Sequence, residues 1–157
     1  MKTLLLVRHA NALHKSIKGD FERQLSPKGL KDAEQMANKV KKAGHVPQLI
    51  ISSEAERAKA TATIFTDILD LPAPQTQGTI YEGNEKKLLK IINKFPDEVE
   101  RIALVGHNPD ISSLLFLLTG KYLDMPTCTV ALISFEFDEW EAISSNTGDL
   151  DWYASPE

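Results

Sequence analysis

Three apolar runs in this sequence end in residues that can do chemistry. The run Thr3-Leu4-Leu5-Leu6-Val7 stops at Arg8-His9, residues 101–106 (RIALVG) stop at His107-Asn108-Pro109-Asp110, and residues 48–52 (QLIIS) lead into Ser53-Glu54-Ala55-Glu56-Arg57. Arginine is cationic at any relevant pH and presents planar donors that suit phosphate or carboxylate, whereas histidine can serve as a base or a nucleophile. If the three runs are parallel strands, their C-terminal ends point the same way, and Arg8, His9, Arg57 and His107 converge from distant parts of the chain. Two arginines and two histidines suit a dianionic phosphoryl group, since each charge-assisted hydrogen bond is worth about 1.5–3 kcal/mol. A helix starting just after His107 would add free backbone donors and a positive dipole end. Each strand end taken singly also has a plainer reading, as a turn with solvated polar residues.

The elements that would hold these residues follow from periodicity. Four consecutive aliphatic residues at positions 4–7 fit a strand buried on both faces. Residues 11–24 (NALHKSIKGDFERQ) have no usable period and read as a long loop, the kind that serves as a lid or mobile segment. Ser26-Pro27 opens a helix with Leu30, Ala33, Met36, Ala37 and Val40 on its apolar face and Gly44 as its C-terminal cap. The lysines around it are interspersed with acids and read as a solvated face. A second helix runs from Glu54 onward through Ala55, Ala58, Ala62, Phe65 and Leu69 until Leu71-Pro72-Ala73-Pro74 ends it. Then come an extended piece at 79–82, a helix over 84–94, the strand at 101–106, and a helix with Pro109 in its first turn. Two more strands are expected at 128–137 and 139–143, followed by a turn at Asn146-Thr147-Gly148-Asp149. Strands alternating with helices predict a three-layer α/β/α sandwich with a mostly parallel central sheet and antiparallel edge strands.

Composition narrows the classes further. A chain of 157 residues, 42% hydrophobic, is expected to form one domain over 1–157. A net charge of −4, from 18 basic and 22 acidic residues, gives no global reason to expect nucleic acid or membrane as a partner. Any anion site must therefore be local. The one cysteine, Cys128, allows no internal disulfide, and no Cys and His cluster has zinc spacing, so neither a metal nor another cofactor is expected. Without a signal peptide or an apolar stretch of about 18 residues, the expected location is the cytoplasm. A nucleotide-binding domain is disfavoured, because no glycine-rich phosphate loop follows any strand.

Four motifs, in order and spacing, resemble the histidine phosphatase superfamily, also called phosphoglycerate mutase-like. They are Arg8-His9-Ala10, Leu25-Ser26-Pro27-Lys28-Gly29, Ser52-Ser53 through Arg57-Ala58-x-x-Thr61, and Val105-Gly106-His107-Asn108-Pro109. The short length and the late Leu150-Asp151-Trp152-Tyr153-Ala154-Ser155-Pro156 resemble the SixA-type phosphohistidine phosphatases. The resemblance implies a metal-independent phosphatase in which His9 accepts the phosphoryl group, with Arg8, Arg57 and His107 forming its pocket. A nucleophilic imidazole must be neutral, and the nearby arginines with a cationic His107 are expected to lower the pKa of His9. Asn108 and Ser53 lie close enough in sequence to orient the phosphate or a ring nitrogen. Arg23 precedes Leu25-Ser26 where the SixA pattern also has an arginine, and it is a candidate contact for a phosphoprotein; Lys15 and Lys18 serve either such a contact or plain solubility. The superfamily's alcohol-releasing members use an acidic proton donor, for which Glu82 is the candidate here, with a surface carboxylate as the alternative. The expected substrate is a phosphohistidine-bearing protein, with phosphate or another oxyanion as a pocket ligand. Alternatives are a phosphatase or mutase acting on small phosphate esters, and a non-catalytic phosphate-binding module.

Overall fold

Along the first strand, Leu4 and Leu6 pack into one hydrophobic cluster while Leu5 and Val7 pack into another, and all four are almost completely buried. Both faces of this strand are therefore covered, as its unbroken aliphatic run requires. The computed structural model describes residues 1–156. Its strands are β1 (Lys2–Arg8), β2 (Leu49–Ser52), β3 (Gln75–Thr76), β4 (Arg101–Gly106), β5 (Val130–Phe135) and β6 (Gly148–Ala154). The helices are α1 (Pro27–Ala43), α2 (Glu56–Leu69), α3 (Glu85–Asn93) and α4 (Asp110–Thr119). The sheet order is β3-β2-β4-β1-β5-β6, with the first four strands parallel and β5 and β6 added antiparallel. One face carries α1 and α2 through Ala33, Met36, Ala37, Val40, Ala58, Ala62 and Phe65. The other carries α3 and α4 through Leu88, Ile92, Ile111, Leu114, Leu115 and Leu118. This is the α/β/α sandwich with antiparallel edge strands that the alternating pattern predicts.

The capping signals act as read. Ser26 Oγ accepts from the Gly29 N–H at 3.0 Å, Pro27 is the first helical residue, and Gly44 closes α1 in the left-handed region at φ 77°. Leu30, expected on the buried face, is instead 47% exposed, and Gly29 takes that place. The reason is the returning loop: a Cβ at position 29 would lie 2.0 Å from the Asn11 carbonyl oxygen. The start of α1 therefore packs against backbone, and the apolar stripe begins a turn later.

Three boundaries differ from expectation. Residues 139–143 are not a strand, because residues 140–142 form a 3-10 turn. Trp140 anchors that turn from full burial, its indole N–H donating to the Val99 carbonyl at 2.9 Å and its backbone N–H to Asp97 Oδ1 at 3.0 Å. The last strand lies later, at β6, where half-buried and exposed positions alternate, and it takes in Gly148 and Asp149 of the expected turn. Residues 78–80 likewise form a 3-10 turn that buries Ile80, and the short edge strand β3 sits just before it. β3 consists of two exposed polar residues, so hydrophobic patterning could not mark it.

Candidate active site

Adjacent parallel strands bring the two histidines together. Arg8 on β1 lies opposite Gly106 on β4, and the His9 N–H extends the ladder to the Gly106 carbonyl at 3.0 Å. The His9 and His107 rings consequently sit with centroids 5.2 Å apart. From β2, on the other side of β4, the Ser53 N–H donates to the Val105 carbonyl at 3.0 Å, which sets Ser53 beside His107. Thr61 then ties α2 to the β1 loop, since its hydroxyl donates to the Arg57 carbonyl at 2.8 Å and accepts from the Ala10 N–H at 3.0 Å. Arg57, in the first turn of α2, is thereby fixed against the backbone that follows His9.

His9 is 7% exposed, and its Nδ1 is 2.8 Å from the Ala10 carbonyl oxygen. A carbonyl can only accept, so Nδ1 carries the ring proton and Nε2 keeps its lone pair in the neutral form. Burial first, and then Arg57, Arg8 and Arg23, push the His9 pKa down to about 4 against the opposing bond to Ala10. His9 is thus neutral at physiological pH.

His107, 8% exposed, has Nε2 2.8 Å from Ser53 Oγ, and that oxygen already accepts from the Ala55 N–H at 3.1 Å. His107 Nε2 is the acceptor that the Ser53 hydroxyl has beside it among the described residues, and with the hydroxyl donating there the ring's own proton sits on Nδ1. The expected cationic His107 is corrected here: burial, then His9 and Arg57, hold its pKa down at about 3, with Asp20 opposing. His107 is neutral in the free protein, and it is the burial of His9 together with the arginines that keeps His9 neutral too.

Arg8 donates through Nη1 to the Met125 carbonyl at 3.0 Å. Arg57, 5% exposed, donates through Nη1 to the Asp20 carbonyl at 2.8 Å and through Nη2 to Asp20 Oδ2 at 3.1 Å. The buried polar side-chain atoms that lack a partner among the described residues are Arg8 Nε, Arg57 Nε, His107 Nδ1 and Thr129 Oγ1. Burying such a group without a partner costs about 1–3 kcal/mol, and folded proteins hold few of them. Three of these atoms are N–H donors on residues brought to the ends of β1, β2 and β4, an arrangement complementary to an anion with several acceptor oxygens.

The other residues singled out in the sequence are placed as follows. Ser53 reaches the site through His107. Asn108 is committed to the scaffold: Nδ2 donates to the Met125 carbonyl at 3.1 Å, while Oδ1 accepts from the Ser112 N–H and hydroxyl, both at 3.2 Å. Arg23 joins the 11–24 loop together, from Nε to Asp20 Oδ1 and from Nη1 to the Leu13 carbonyl, both at 3.0 Å. Glu82 is exposed at the end of the 78–80 turn, and its charge bears on Tyr81. Asp20 and Tyr81 belong to the site although sequence reasoning passed over them. Asp20 had a signal in its spacing three residues before Arg23; Tyr81 had none, because only the fold brings it edge-on to His107, with centroids 5.5 Å apart.

Comparison with known proteins places this geometry. Residues 4–82 match the sequence model of the histidine phosphatase superfamily, branch 1. An uncharacterized chloroplastic protein of Arabidopsis thaliana is 28% identical over 96% of this chain and 74% of its own length. Among solved structures, the SixA protein of Agrobacterium tumefaciens superposes with a TM-score of 0.85 at 24% identity, covering 99% of this chain and 98% of that one. The protein histidine phosphatase SixA complexed with tungstate gives a TM-score of 0.82 at 22% identity, over 98% and 97% of the two chains. These structural likenesses establish a shared fold. The sequence match, over half of the chain, shows that it belongs to the histidine phosphatase superfamily, branch 1.

Proposed function

We propose that this protein hydrolyses phosphohistidine on a protein, with His9 as the residue that accepts the phosphoryl group. The observation that carries the reading is the His9 tautomer: Nδ1–H bound to the Ala10 carbonyl leaves Nε2 unprotonated, on a ring 5.2 Å from that of His107, while Arg8 Nε, Arg57 Nε and His107 Nδ1 at the same sheet edge stand unpartnered. In the first step the phosphoryl oxygens take those three N–H donors and the Nε2 lone pair attacks phosphorus. The bond from phosphorus to the substrate nitrogen breaks, and a ring already protonated on its second nitrogen departs as neutral imidazole. Positive charge then appears on the His9 ring, where the Ala10 carbonyl is placed to stabilise it. In the second step water attacks phosphorus, the bond to Nε2 breaks, and inorganic phosphate leaves with the water proton going to solvent. The same three donors stabilise the equatorial oxygens in both steps.

Transfer from one imidazole to another has similar entering and leaving groups and needs little acid catalysis, whereas an alkoxide must be protonated as it leaves. Glu82 is exposed, which supports a substrate that does without an acid. The loop beside the site exposes Leu13 and the whole of Ile17, a surface that suits a protein-borne phosphate. The test compares kcat/KM for a phosphohistidine-bearing protein with that for an alkyl phosphate ester, whose alkoxide needs the acid. The reading expects the phosphoprotein to be favoured by about two orders of magnitude, the scale of one missing acid. A preference for the ester would make the protein a small-ester phosphatase instead.

A further inference from the structure

Asp20 lies on the 11–24 loop, outside every motif that the family resemblance supplies, yet each of its acceptor oxygens is directed at the site or the loop that flanks it. Oδ1 accepts from Arg23 Nε at 3.0 Å. Oδ2 accepts from Arg57 Nη2 at 3.1 Å and from the Tyr81 hydroxyl at 2.6 Å. Its backbone carbonyl accepts from Arg57 Nη1 at 2.8 Å. Gly19, at φ 103°, provides the backbone turn that lets the carbonyl and the carboxylate of the next residue face one guanidinium. The carboxylate itself is 55% exposed, so water could satisfy it, and burial does not account for its engagement. The Arg57 side chain is only 7% exposed, lies under the Tyr81 ring at 5.9 Å, and has Asp20 as the acceptor for both of its terminal nitrogens.

We propose that Asp20 is a positioning residue of the phosphoryl pocket: it grips Arg57 by Nη1 and Nη2, so that the unpartnered Nε–H is aimed at the substrate, and it thereby couples the 11–24 loop to turnover. The inference rests on Arg57 being a phosphoryl ligand. A guanidinium has five protons in a fixed plane, and Asp20 uses one on each terminal nitrogen, which settles the plane's orientation while leaving Nε–H and a second proton on each terminal nitrogen available. The proton from Tyr81 and the bond from Arg23 hold the carboxylate in turn, so the grip is relayed from the loop and from the 78–80 turn. The negative charge of Asp20 also faces His107, whose pKa it raises, while Arg8, Arg57 and Arg23 face His9 and lower its pKa.

The test uses the full chain, wild type, D20A and D20N. Nitrogen-15 spectra of the arginine side chains should show resolved Arg57 Nη protons in wild type, averaged by rotation in D20A and restored in part in D20N, which keeps one acceptor oxygen. D20A should lose about 10- to 100-fold in kcat/KM, mainly in kcat, as expected when a binding group is misplaced by around an ångström. D20N should lose less, and tungstate should bind D20A more weakly by calorimetry. Unchanged or faster turnover in D20A with tighter tungstate binding would overturn the proposal, making Asp20 an occupant that the substrate displaces. Lost turnover with the Arg57 protons still resolved would overturn it as well. If wild type hydrolyses no phosphorylated substrate, the proposed function fails, while the spectra and the tungstate affinity still decide what Asp20 does.

Discussion

Lowering the pH from 7 to 5 perturbs His9 and His107 before most carboxylates begin to titrate. In the folded protein their pKa values are held at about 4 and about 3, against 6.5 for a free histidine. The unfolded chain therefore binds a proton at each position as the pH falls through 6.5, and the folded chain does not. With more protons on the unfolded state, stability falls with pH through this window and levels off only near the folded values. At pH 5 each histidine has cost about 2 kcal/mol relative to pH 7, roughly 4 kcal/mol together. The figure is insensitive to the folded values as long as both stay well below 5. Burial also lowers His45, which adds a cost of the same sign, whereas Asp20, held at about 2, contributes only below the window. Urea unfolding of wild type and of the His9→Asn/His107→Asn double variant at both pH values measures the difference. Wild type should lose about 4 kcal/mol more than the double variant, a large share of the usual 5–15 kcal/mol. A difference under about 1 kcal/mol would refute the reasoning, since both rings would then protonate readily in place. Titration of the ring Cε1–H signals in folded wild type gives the same answer should the double variant fold poorly.

Other substitutions separate the remaining roles. Glu82→Gln should leave phosphohistidine turnover within about twofold of wild type, and a loss near 100-fold would show an acid at work. Ser53→Ala removes the partner of His107 Nε2 and lets the ring proton leave Nδ1, so kcat/KM should drop by about tenfold in steady-state assays with the fold intact; an unchanged rate would show that the tautomer is irrelevant. Gly29→Ala drives a Cβ to 2.0 Å from the Asn11 carbonyl oxygen and should cost at least about 2 kcal/mol in thermal or urea unfolding, with neutrality arguing against the close approach of loop and helix.

Much of this arrangement was legible because it follows from periodicity and strand polarity. The aliphatic runs ending at Arg8 and Gly106 could be read as parallel strands that end at one sheet edge, whereas their being neighbours, which brings His9 to His107, is settled by the fold. The Ser26 and Gly44 caps were equally plain, being local chemistry. What escaped depends on tertiary contacts. Trp140 reads as a strand residue until Val99 and Asp97 are seen to hold it in a turn, and β6 hides behind turn residues that continue into a strand. Leu30 yields its place because a distant loop returns against Gly29. The neutrality of His107 is a consequence of burial, which no local sequence pattern reveals. Asp20 and Tyr81 meet across 61 positions of sequence, through a hydrogen bond that no local pattern could foretell.

The central claim, that His9 carries the phosphoryl group, is tested most directly by trapping the intermediate. Substrate labelled in its phosphoryl group is mixed with enzyme, quenched in alkali because phosphohistidine is acid-labile, and the labelled residue is located by peptide mapping. The account predicts alkali-stable, acid-labile label on the peptide containing His9, and no label or turnover in His9→Ala, which should still bind tungstate. Label on any other residue, or turnover that survives His9→Ala, would contradict it.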